Sequence, residues 1–462
     1  MSLSDEIRPS SSGSSSKLGE DGDTTSSQLS ALVNLSSSIK EKEITSEEAD
    51  TMIAFITTQL TTELLSADKN LENQTECLEV VIEVLEALLP LSSPNVLNFT
   101  HSLLPYLLYR LKDSENSMIF LDQLSRCILI LFVDPDNTHS IYLHKALDVL
   151  TRFCVENSKD FPFKPIIQRL SQYLKVLQPP DISCESEYRH HVWPENMRIL
   201  MHRFLRTKTE LLSDEIRLSF FSLVNEIVET LEFDWFAPNV SLLSLLVIQV
   251  AIEIRMRLDK VEGVSADVLA VCYHILEMAV HCVEESSFLD DSTATQIATS
   301  VREAALYSID YWVKAKEEKE EKLDDKVELV LYRFISCILT VGGAEMLPET
   351  LVQQCSPHLL QVFQQAVTDG DYSIARLALP YLNIFNKLPD NTILLLVDLV
   401  ISQFPAGDWA DAMDDVVICI ESFDGRKDFY SSKTLMEART KIRATEADSA
   451  LYSILSGLIA PL

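Results

Sequence analysis

The chain has 462 residues, of which 47% are hydrophobic and 23% charged, too long for one ordinary core unless it is an array that grows in one dimension. Its 38 Lys and Arg stand against 70 Asp and Glu, a formal net charge of -32, a field that repels nucleic-acid phosphates and anionic lipid surfaces, attracts basic protein segments and keeps a large apolar array in solution. Only 10 Gly and 17 Pro provide turns, too few for a β-rich protein of this size, so helices joined by short connections are expected.

Residues 1–28, with Ser10 to Ser16 and Gly19 to Asp23, are polar and low in complexity, which predicts a disordered acidic tail. Leu32, Leu35 and Ile39 then give one short helical face. Thr45 or Ser46 ahead of Glu48 reads as a capped start for an apolar run from Met52 to Leu65. Helical periodicity continues over Leu71–Leu89, Val96–Leu111, Met118–Val133, His139–Val155 and, after the prolines at 162 and 165, to Leu177. The segment 179–194 is the one long irregular stretch, a functional loop or a linker between two halves, 29–178 and 195–462.

Beyond it, helices are expected over Met197–Phe204, Ile216–Leu231, Ala266–Val283 and 291–315. The run Lys316 to Lys326 reads as a solvated helix end or crossover, and a further helix over Val327–Thr340 is stopped by Gly342 and Gly343. Met346–Cys355, Pro357–Val367, Tyr372–Phe385 and Ile393–Phe404 complete the series, followed by an acidic helix from Asp408 to Asp415. The most apolar stretch is Val240 to Ile252, apolar nearly all round yet only about thirteen residues long before its first charge, against the roughly 18 to 20 of a membrane span. It is therefore expected to be a core helix, and no transmembrane segment is expected. Without a strict repeat consensus, the pattern predicts an all-α, armadillo/HEAT-like α-solenoid of stacked helix pairs behind a disordered amino-terminal tail.

No catalytic chemistry emerges. The nine cysteines (77, 127, 154, 184, 272, 282, 337, 355 and 419) are odd in number, widely spaced and without a Cys-x-x-Cys pair, which suits neither a disulfide framework nor a zinc site. His190 and His191 have no further ligand near in sequence. His274, Glu277, Met278 and His281 share a helix face, but two turns of helix hold the two histidines about 10 Å apart, too far for one metal ion. Phosphate loops, nucleophile elbows and His-Glu-x-x-His are absent. Asp234, Trp235, Glu253, Arg255 and Arg257 form a polar group, and the spacing of Glu253 and Arg257 predicts an intrahelical ion pair. No catalytic, cofactor-binding or metal-binding residue is therefore assigned, no cofactor is expected, and partner-binding residues stay unassigned.

The stretch from Asp234-Trp235 through Ile252-Glu-Ile-Arg-Met-Arg-Leu258, followed by Cys272-Tyr-His-Ile-Leu-Glu277, resembles the neurochondrin family. Thinner similarity, including Val301-Arg-Glu-Ala-Ala305, extends it over residues 29–390. The resemblance implies a cytosolic, non-enzymatic armadillo-like scaffold or adaptor, associated with neuronal dendrites, neurite outgrowth, binding of signalling proteins and receptor cytoplasmic tails, and restraint of a calmodulin-dependent kinase. Members of the family are usually longer. They also carry an amino-terminal cysteine pair implicated in lipid attachment, whereas the first cysteine here is Cys77, so peripheral membrane association by that route is not expected. A trafficking or nuclear-transport adaptor of the HEAT/armadillo class is the alternative reading.

Overall fold

The computed structural model describes residues 44–65, 71–93, 104, 107–108, 118–131, 140–157, 164–177, 190–207, 212–259, 264–317, 323–343, 346–385, 392–403, 436–437 and 440–441. The expected serine-rich tail, the short face at Leu32 to Ile39, most of Val96–Leu111 and of the 179–194 segment, residues 318–322 of the charge run and the helix from Asp408 lie outside the described residues. Those described are all-α, in two compact units, Met1–Glu232 and Phe233–Leu462, with no strand among them.

In the first unit, α1 (Ser46–Leu65) and α2 (Leu71–Leu88) are followed by α3 (Met118–Leu131), α4 (Ser140–Glu156), α5 (Lys164–Leu177), α6 (Trp193–Arg206) and α7 (Asp214–Leu231). The expected start of α1 is a reciprocal capping box: the Glu48 N–H donates to Thr45 Oγ1 at 3.4 Å, and the Thr45 N–H to Glu48 Oε2 at 3.1 Å. Each helix then packs on the next but one, α3 on α5, α5 on α7 and α4 on α6. Arg169 reaches Asp122 at 3.5 Å, the buried Tyr173 hydroxyl donates to the Ser125 carbonyl at 2.9 Å, and Lys175 pairs with Glu226 at 3.1 Å.

The second unit opens on a 3-10 segment, Phe233–Asn239, whose Trp235 and Phe236 are buried. There follow α8 (Val240–Leu258), α9 (Ala266–Glu285), α10 (Asp291–Glu317), α11 (Asp325–Val341), α12 (Glu349–Asp369), the short α13 (Tyr372–Arg376), a 3-10 segment Leu379–Ile384 and α14 (Thr392–Gln403). Here too alternate helices stack: α8 on α10, α10 on α12, α12 on α14, and α9 on α11. Arg255 meets Glu303 while Asp259 meets Tyr307, so α8 and α10 run in the same direction. Side-chain bonds between helices recur at sequence separations of 40 to 49 residues, for example Asp50 to Ser93 (43), Ser125 to Tyr173 (48), Asp148 to Trp193 (45), Arg255 to Glu303 (48) and Ser336 to Tyr381 (45). That is the span of one helix-pair unit of the HEAT and armadillo kind.

Three local expectations change. The division between units falls after Glu232, not at 179–194, because α6 and α7 pack back onto α4 and α5 across that segment. Met346–Cys355 and Pro357–Val367 are one helix, α12, running through Pro357. Proline cannot bond the Gln353 carbonyl, and the Ser356 hydroxyl donates to it instead at 3.0 Å, so the break costs less than an unpaired carbonyl would. Tyr372–Phe385, in contrast, is not one helix but α13 and a 3-10 turn, with Pro380 at the start of the second.

Helix α8 is longer than the apolar run that nucleates it. Together with the preceding 3-10 segment it spans Phe233–Leu258, at mean hydropathy 1.8, and α9 reaches 1.5; by length and composition alone both could cross a membrane. In this fold their apolar side chains are used otherwise: Leu242, Leu243, Leu246, Val247, Val250, Ile254 and Leu258 are buried as α8 packs on α9 and α10. Ile254 is fully buried, so Ile254→Ala is expected to lower stability by about 2–5 kcal/mol, read as a drop in the urea midpoint of the full chain.

Candidate functional site

The polar residues singled out by the sequence converge on α8 to α11. Residues 253 and 257 lie one helical turn apart, and Arg257 grips Glu253 with Nε and Nη2 at 2.7 and 2.6 Å. Glu253 is 2% exposed, so this is an ion pair inside the core and not a solvated edge. Arg255 points the other way, to Glu303 of α10 at 2.9 Å, and stands 5.9 Å from the centre of the Tyr307 ring, whose hydroxyl donates to Asp259. Ile252-Glu-Ile-Arg-Met-Arg-Leu258 therefore spends its charges on holding α8 to itself and to α10.

The second run behaves in the same way. Glu277, buried on α9, accepts from Arg333 of α11, Nε at 3.2 Å and Nη2 at 3.0 Å, while His274 Nδ1 lies 3.8 Å from the same carboxylate. His281 instead lies 3.9 Å from Glu285, so the two histidines do not converge. Tyr273 stacks on Phe334 at 4.3 Å and donates to Ser308 at 2.7 Å, Ser308 itself donating to the Ala304 carbonyl. Among the described residues no group of three His, Cys, Asp or Glu could hold a metal ion.

A polar junction in the first unit escaped sequence reading because its bonded members are 43 to 49 residues apart. Asp148 on α4 serves as the cap that α6 lacks locally: Oδ1 accepts from the backbone N–H of Val192 at 2.9 Å and of Trp193 at 2.8 Å, and Oδ2 accepts from His191 Nδ1 at 2.8 Å. Trp193, fully buried, donates Nε1–H to His144 Nδ1 at 3.2 Å, and the His144 and His191 rings stack at 4.8 Å. Of the adjacent histidines 190 and 191, His191 thus joins a helix cap.

Nucleophile chemistry finds no activated group among the described cysteines. Cys127, Cys154, Cys272 and Cys355 are buried free thiols. Burial pushes the Cys154 and Cys355 thiols up to about 12 and raises those of Cys127 and Cys272 further, so at neutral pH each is a protonated apolar filler. Cys337, half-buried, is likewise raised to about 12 by desolvation, with the Glu277 carboxylate adding to the effect.

Two tests follow from this geometry. Removing one partner of the core pair, as in Arg257→Ala, is expected to cost about 3–5 kcal/mol by stranding the Glu253 charge, whereas Glu253→Leu with Arg257→Met recovers most of that loss in a double-mutant cycle. Desolvation, with His191 adjacent, lowers His144 from 6.5 to about 4, so the folded chain binds fewer protons there than the unfolded chain. The His144 contribution is fully present above pH 6.5 and is lost as pH falls from 6.5 towards 4. A urea midpoint that declines over that window in the wild type, and less steeply in His144→Gln, is the expected result.

Comparison with known proteins bears on this arrangement at two levels. A crystal structure described as that of an engineered protein aligns over 95% of this chain and 96% of its own, with a TM-score of 0.50 and 10% identity, a likeness of fold alone. No curated protein matches the chain. The model of the family described as Neurochondrin matches residues 139–375, just over half of the chain, which takes in α4 through α12, both quoted runs and the Asp148 junction. The chain therefore belongs to the neurochondrin family.

Proposed function

We propose that this protein is a non-enzymatic cytosolic scaffold of the neurochondrin type, which binds basic segments of signalling proteins, including receptor cytoplasmic tails, through the outer faces of its stacked helices and serves neurite outgrowth and neuronal signalling. The observation that carries the reading is the use made of the family's most recognisable residues. Within the quoted runs, Glu253 pairs with Arg257 along α8 and Glu277 accepts from Arg333 of α11, which supports a role for these residues in maintaining the packing of a repeat scaffold. Stacked helix pairs offer extended surfaces for recognition. A net charge of -32 favours basic partners through long-range attraction, which speeds encounter and is screened by salt.

Affinity purification of the full chain from neural tissue with mass spectrometry is expected to recover receptors or signalling proteins with basic cytoplasmic tails. Binding of a synthetic basic tail peptide is expected to weaken roughly tenfold between about 0.05 and 0.5 M salt. Affinity that stays flat with salt removes the electrostatic part of the proposal. Recovery of cargo complexes that depend on a nucleotide switch speaks instead for a transport adaptor.

A further inference from the structure

The charge of the chain is not evenly spread. Helices α4, α5 and α6 together hold eight Lys and Arg, at 145, 152, 164, 169, 175, 198, 203 and 206, against three carboxylates, Asp148, Glu156 and Glu195, the reverse of the balance over the whole chain. Two of those carboxylates are already engaged, Asp148 in capping α6 and Glu195 in an ion pair with Arg198. The outer face of α6 is Glu195, Arg198, Ile199, His202, Arg203 and Arg206, at helical spacing, and none of the six is buried.

Arg203 donates to the Val155 carbonyl at 2.5 Å, which brings the last turn of α6 beside the last turns of α4, where Arg152 is exposed. Basic residues in a last helical turn complement the helix dipole, and that accounts for Arg203 and in part for Arg206. It does not account for Arg152, which lies a turn further from the end of α4. Among the described residues neither Arg152 nor Arg206 has an ion-pair partner, although the chain has nearly two carboxylates for every basic residue.

We infer that the paired ends of α4 and α6 form a docking surface for an acidic peptide segment of a partner protein, with Arg152 and Arg206 taking its carboxylates and Ile199 lying under its backbone. Guanidinium groups present planar N–H forks that donate bidentately to carboxylates, the geometry this use requires. The patch is confined to two helix ends on a strongly acidic protein. A bilayer or a duplex would bring many phosphates against a chain of net charge -32 and be repelled, whereas a short acidic peptide needs only the local arginines. This surface is opposite in sign to the general field, so it selects a different partner from the basic segments proposed above.

The test is fluorescence anisotropy of the full chain with a fluorescein-labelled oligoglutamate peptide at low salt, with labelled oligolysine and phosphatidylserine vesicles in parallel. Because the net charge opposes any acidic ligand, binding of oligoglutamate reports a local site. The expected result is saturable binding that falls at least about tenfold in Arg152→Glu with Arg206→Glu and is unchanged in Arg302→Glu, an exposed arginine of the second unit. Oligolysine binding should persist in the double variant, which separates this inference from the general scaffold reading. Far-UV circular dichroism checks that the variants stay helical, and Arg206→Gln alone should give a partial loss if the double variant does not fold. The inference is overturned by absence of oligoglutamate binding, by an equal loss in Arg302→Glu, or by arginine-dependent capture of the vesicles without the peptide.

Discussion

Stacking of each helix on the next but one is the constraint on which everything else in this protein depends. A helix such as α8, apolar on more than one side, cannot be satisfied by a single neighbour; it needs α9 and α10 together to bury its surface. Stability then comes from repeated local packing and not from one central core, which is how a chain of 462 residues is organised with so few glycines and prolines. Polar bonds between helices, many of them at 40 to 49 residue intervals, set the register of that stacking. Tyr173, Tyr273 and Tyr381 each bury a ring and satisfy a hydroxyl on a neighbouring helix, combining apolar area with a directional contact.

Charge is used at two scales. The buried pair of Glu253 with Arg257, and the buried Glu277 carboxylate reached by the exposed Arg333, sit where an unpaired carboxylate would be unfavourable, and their value lies in specifying how the helices meet. On the surface, the excess of 32 negative charges acts at long range, and the arginine-bearing ends of α4 and α6 interrupt it locally. A scaffold with both signs of surface can select partners by charge without any pocket for a small molecule.

The junction around Asp148 links these themes. Val192 and Trp193 begin α6 with orphan N–H groups, and no side chain at the helix start caps them. A carboxylate from α4 does so instead, so the start of one helix is a tertiary feature. Burial and the neighbouring His191 hold His144 below its ordinary pKa, so this junction is where acid is expected to weaken the first unit.

Local rules determined a good deal of this by themselves. The 3.6-residue apolar period marked nearly every helix, Thr45 and Glu48 marked the start of α1, Gly342 marked the end of α11, and the four-residue spacing of Glu253 and Arg257 foretold their pair. These are properties of one turn of helix, written within four residues of each other. The passage of α12 through Pro357, the division after Glu232, the Asp148 cap and the pairing of Glu277 with Arg333 were decided only in the tertiary structure. Each depends on residues tens of positions apart, or on a neighbour that compensates a local break. No periodicity within a helix encodes which partner the stack will bring to it.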